Sequence, residues 1–92
     1  MAHLEDEYKG DENWEKFEAL FLEFKDAPEV KDIAAKLGGN VGLACVIYKQ
    51  VGSDGAEWLE RKVPALENIR PLDCIDDPVL IKRLRVVLKR MY

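Results

Sequence analysis

The chain has 92 residues, a formal net charge of −4 and 48% hydrophobic residues. This is one small domain with a single core; the apolar content excludes a disordered chain, and no apolar run reaches the roughly 20 residues of a membrane-spanning helix. An acidic balance also speaks against an independent nucleic-acid binder, because phosphate binding needs a net basic surface.

The charge is unevenly placed. Residues 1–29 carry a net −7, residues 30–81 a net −2, and residues 82–92 a net +5. Residues 1–11 are polar and acidic and lack periodicity, so they read as a flexible acidic arm. They have neither a basic start nor an apolar stretch of the kind that opens a secretory signal, which predicts a cytoplasmic protein with Cys45 and Cys74 as reduced, packed thiols. Residues 12–92 read as a single helical domain.

The first helix is predicted over residues 12–25. Trp14, Phe17, Leu20, Phe21 and Phe24 follow one another at steps of 3, 3, 1 and 3, a helical stripe with Trp14 in the core. Pro28 suits the first turn of a second helix over residues 28–37, because its missing N–H would be unpaired there. Val30, Ile33, Ala34 and Leu37 form its inner face. Gly38 and Gly39 end it by supplying positive φ, and Asn40 caps a third helix over residues 41–51. The apolar residues of that segment nearly encircle the axis, which predicts a central helix, although its β-branched content also suits a strand.

Gly52 stops the third helix, and Ser53 caps a fourth over residues 54–61. Two short turns follow, opened by Pro64 and by Pro71. Asp76-Asp77-Pro78 then joins an acidic cap to a first-turn proline, predicting a last helix over residues 78–90. Leu80, Leu84, Val87 and Met91 mark its inner side. Lys82, Arg85 and Lys89 mark another side, extended by Arg83 and Arg90. The fold class is therefore all-α: a small compact bundle of about five helices, with two proline-opened short turns before the last.

Little here resembles catalytic machinery. The only histidine, His3, lies in the arm and offers no positioned base. The carboxylates Glu5, Asp6, Glu7, Asp11 and Glu12 read as a solvated run. Asp76-Asp77 is better explained as a helix cap than as a cation site, and Gly38-Gly39-Asn40 lacks the lysine of a phosphate loop. No cofactor and no metal site is predicted. The second and third helices have a helix-turn-helix outline, but residues 41–47 carry no charge with which to read a groove. What remains is a partner-binding surface: Arg83, Arg85, Lys89, Arg90, Met91 and Tyr92 at the basic end, with Trp58 as either a core-edge residue or a surface anchor.

Residues 47–91 carry an ordered series: Gly52, Trp58-Leu59, Pro64-Ala65-Leu66, Pro71-Leu72-Asp73, then Leu88 and Arg90. This series resembles the C-terminal toxin-binding domain of Xre/MbcA/ParS-type antitoxins. The resemblance implies an all-α fold, no enzymatic activity, and a RES-domain toxin that attacks NAD⁺ as the partner. It implies neutralisation by occlusion of the toxin's active site, with the last helix and Arg90 at the contact, and it is compatible with homo-oligomerisation. Many members of that family carry a helix-turn-helix domain upstream and a glycine-containing tail downstream. Here about 45 residues, acidic on balance, precede the match and the sequence stops at Met91-Tyr92, so neither DNA autoregulation nor a long plugging tail is expected. The other classes in keeping with the sequence are a stand-alone helical adaptor or oligomerisation module, and a degenerate helix-turn-helix regulator.

Overall fold

The computed structural model describes residues 4–91. It is all-helical, with five α-helices: α1 (Asp11–Ala19), α2 (Pro28–Lys36), α3 (Val41–Val51), α4 (Gly55–Trp58) and α5 (Leu80–Arg90). Single turns of 3-10 helix lie before and between them. There is no strand among the described residues; an isolated antiparallel bridge joins Val63 to Ile69.

The third helix is the axis of the bundle. Gly38 and Gly39 take φ values of 69° and 94°, which end α2 in the left-handed region. The Asn40 side chain then accepts the Leu43 N–H at 3.0 Å and caps α3. Leu43, Ala44, Cys45, Val46 and Ile47 are five consecutive buried residues. A helix apolar on all sides must be surrounded, and here α1, α2, α4 and α5 all pack against it. The helical reading of residues 41–51 holds over its full length, and the strand alternative does not.

The other helices are amphipathic and bury one face each. Pro28 opens α2 from an extended Ala27, the conformation a following proline favours, and Val30, Ile33, Ala34 and Leu37 are buried as their spacing predicts. Trp14 is 2% exposed and joins the core. The first helix is shorter than predicted. It ends at Ala19, and the chain continues as a 3-10 turn over Leu22–Phe24, held by Phe21 N–H to Glu18 O at 3.0 Å and Phe24 N–H to Phe21 O at 3.1 Å. Tighter winding redirects the chain toward Pro28; it buries Phe21 and sets Phe24 edge-on to Tyr48, but leaves Leu20 exposed, contrary to the stripe.

The fourth helix shrinks to one turn because it must cross α2 and α3 closely. Gly55 is buried, and a Cβ there would lie 2.6 Å from Ile33 Cδ1 and 3.1 Å from Ile47 Cγ2. The two proline-opened turns appear as 3-10 helices, Pro64–Leu66 and Pro71–Cys74, with Leu66, Pro71 and Cys74 buried. Leu72 N–H reaches back to Leu59 O at 3.0 Å and ties the second turn to α4. The last helix starts at Leu80 and not at Pro78. Asp77 is the cap, accepting Val79 N–H at 2.8 Å and Leu80 N–H at 3.0 Å. Those two backbone donors hold its carboxyl below the ordinary aspartate value.

Substituting Gly55→Ala should destabilise the fold by about 1–3 kcal/mol, the range for overpacking a filled interior. Urea unfolding followed by circular dichroism should show a lower midpoint with an unchanged slope.

Candidate partner-binding face

The last helix has two working sides. Leu84, Val87 and Leu88 face the core, and Gln50 Nε2 from α3 donates to Leu88 O at 3.1 Å. Met91, expected on this side, is 43% exposed; Leu88 takes the place in the core. The second side carries Arg85, Val86, Lys89 and Arg90, at helical steps of 1, 3 and 1.

This second side is covered by the chain's own N-terminal segment. Residues 4–7 form a 3-10 turn packed against α5. The Arg90 guanidinium pairs with the Glu7 carboxylate, and Lys89 Nζ donates to Asn13 Oδ1. Arg85 Nη1 donates to the Tyr8 hydroxyl at 2.6 Å and lies 3.3 Å from Asp11 Oδ1; the Tyr8 hydroxyl in turn donates to Asp11 Oδ1 at 2.7 Å. The cations also sit over aromatic rings. Arg85 Cζ is 5.4 Å from the Trp14 ring centroid and 5.7 Å from that of Tyr8, and Lys89 Nζ is 5.7 Å from that of Phe17.

Two expectations change. The segment read as a flexible arm is docked over residues 4–10, and the basic end is not an open cationic rod. The physical cause is complementarity between the ends of the chain, helped by the partly buried Tyr8 ring. Gly10 makes the turn from arm to α1 at φ 99°, a conformation that favours glycine.

The proposed contact residues therefore separate. Arg85, Lys89 and Arg90 come together under the arm. Arg83 points to another neighbour, pairing with Glu67 at 3.2 Å, and its side chain is only 15% exposed. Trp58 is half-buried against the edge of the core. Met91 is open at the helix end, and Tyr92 lies outside the described residues, as does His3. Glu7, Tyr8, Asp11, Asn13 and Val86 belong to the same face but were not singled out from the sequence as its members. The opposed charges of residues 1–29 and 82–92 were the available signal.

Arg85 is the anchor of the face. Its side chain is 22% exposed, and its Nε is buried without a hydrogen-bond partner. The Tyr8 phenol is pushed above its ordinary value of 10.0, first by burial and then by its bond to Asp11, with Arg85 opposing. Val86 is 6% exposed but lies apart from the main core cluster; with Glu7, Tyr8, Lys9, Lys89 and Arg90 it lines a cleft of about 200 Å³ along the arm–helix seam.

Other candidate chemistry resolves into structure. Asp77 caps a helix, and Gly38-Gly39-Asn40 separates two helices. A recognition-helix role for α3 is ruled out by the burial of residues 43–47. Both cysteines are buried, and burial, with Asp73 and Asp77 nearby, pushes the Cys74 thiol up to about 11, so it is protonated at neutral pH. Among the described residues no helix is long and apolar enough to cross a membrane.

Replacing Tyr8→Phe removes the hydroxyl between Arg85 and Asp11 and should destabilise arm docking by about 1 kcal/mol, read as faster amide exchange across residues 6–10. In the wild type the phenol's raised value makes its contribution complete below pH 10.0 and lost as pH rises through the folded value. Arm protection should fall in that alkaline window, and the Tyr8→Phe protein should lack this part of the pH dependence.

No family model matches the chain, and no curated protein or solved structure shows significant similarity to it.

Proposed function

We propose that this chain is an antitoxin-like inhibitor. It binds a RES-domain, NAD-targeting toxin in the cytoplasm and neutralises it by covering the active site, with no catalysis of its own. One observation carries this reading. The separate blocks of the antitoxin-like series fold into one continuous substructure: Leu59 and Leu66 are buried, Leu72 N–H bonds to Leu59 O, and α5 packs on both proline-opened turns.

In this reading the buried blocks are scaffold, and α5 with its end is the contact. Arg85, Lys89 and Arg90 supply charge-assisted donors for carboxylate or phosphate groups, and exposed Met91 supplies adaptable apolar area. Lys82 lies on the exposed surface of the same helix. Trp58 and Arg83 support the scaffold from the core edge and from the turn at Glu67.

Co-expression with the protein encoded beside it tests the proposal. A RES-type neighbour should co-purify with this chain, and cellular NAD⁺ should be preserved. Arg90→Glu combined with Met91→Ala should weaken the complex by at least about tenfold, in line with the truncation of an interface anchor. A RES toxin that stays active with this chain in excess, or a neighbour of another class that does not bind, removes the reading.

A further inference from the structure

The arm is seated on α5 in a manner that says what the helix face recognises. Its carboxylate Glu7 meets Arg90, its phenol Tyr8 meets Arg85, and Tyr8 and Val86 line the same cleft. Yet the fit is incomplete. A cleft of about 200 Å³ remains along the seam, and Arg85 Nε is buried but unpaired. A carboxylate approaching side-on takes Nε and Nη2 together, as Asp73 does on Arg70, whereas the Tyr8 oxygen sits on Nη1 and leaves Nε unpaired. The polar contacts of the arm are also of the replaceable kind. The Arg90 and Glu7 side chains are 57% and 47% exposed, and exposed ion pairs are weak and screened by salt. Finally, the arm joins the domain through Gly10, whose left-handed φ and open surroundings, with nothing within 4 Å of a Cβ built there, give it room to swing.

We propose that the Arg85–Val86–Lys89–Arg90 face is a docking site for an acidic, tyrosine-bearing segment of a partner protein, and that residues 4–10 are its built-in competitor. The partner segment places one carboxylate at Arg90, another on Arg85, and an aromatic ring over Val86, filling the cleft that the arm leaves. Binding displaces the arm as a unit. The inference deepens the function proposed above, on which it rests for the identity of the partner. Its test uses no toxin, so the two can fail separately.

The test supplies the arm's own sequence from outside. A peptide of residues 4–10 is titrated into the full chain and into its Glu7→Lys variant, with backbone amide shifts of α5 as readout. In the wild type the tethered arm presents itself at an effective concentration on the order of millimolar and resists the peptide. Glu7→Lys sets a lysine against Arg90 and loosens the arm without touching the core. The variant should bind the peptide at least about tenfold more tightly than the wild type, with shifts centred on Arg85, Val86 and Lys89 that shrink in high salt. Tyr8→Phe, which removes a single oxygen, should shift affinity in the same direction and serves if Glu7→Lys folds poorly. Equal affinity across these proteins overturns the proposal. So does an absence of binding to any of them, or equal binding of a scrambled peptide of the same composition. A wild-type dimer that exchanges arms would also overturn it, because a second copy would then be the natural occupant.

Discussion

A chain of 92 residues can surround only one helix completely, and the rest of this structure follows from which helix that is. The third helix has five consecutive buried positions, so each other helix must donate an apolar face to it. That demand explains the irregularities. The fourth helix approaches so closely that Gly55 stands where any Cβ would meet Ile33 and Ile47. The first helix gives way to 3-10 winding after Ala19, because its aromatic residues must follow the curve of the bundle. Near the start of α3 the backbone of Gly42 passes the Glu18 carboxylate, which also accepts the Trp14 indole N–H at 2.8 Å. Trp14 can therefore be buried with its polar atom satisfied.

The last helix is where the demands of the core and of the charge distribution meet. Its Leu84, Val87 and Leu88 side belongs to the core. A helix this short cannot bury a second side against the same core, so Val86 needs another cover. The N-terminal segment supplies one, drawn by opposite charge and held by a tyrosine. Most of these pairs are exposed and individually weak. Arg85 differs, since its guanidinium is enclosed by Trp14, Tyr8 and Asp11. The resulting arrangement has one firm anchor and several loose contacts, which is what a replaceable cover requires.

Local signals made much of the bundle legible. Pro28, Gly38-Gly39 and Asn40 act within a turn of their own position, so α2 and α3 fall where the sequence places them. The burial of Trp14 and the two proline-opened turns were equally local. The misreadings were tertiary. The aromatic stripe of residues 14–24 looks continuous in sequence, but only packing decides where α winding ends. Asp76 and Asp77 both look like caps, and geometry selects Asp77, moving the start of α5 to Leu80. Docking of the arm joins residues more than 70 positions apart. No periodicity reports such a contact; only the opposite net charges of the two ends hint at it.

The candidate site shows the same division between what is repeated along a sequence and what is displayed on a surface. The residues that form a recognisable series, Leu59, Leu66 and Pro71, are among the most buried in the chain. They hold α4, the two turns and α5 in register. A pattern of this kind reports a scaffold, since interior positions tolerate few side chains and must keep their order. The proposed partner face lies on the other flank of α5, where Lys82 and Arg90 are exposed and Lys89 is half-buried. Specificity can change there without disturbing Leu84 or Leu88. The N-terminal segment can change with it, because its contacts with the domain run chiefly through that flank. In the proposed function, scaffold and recognition are thus carried by different sides of one helix.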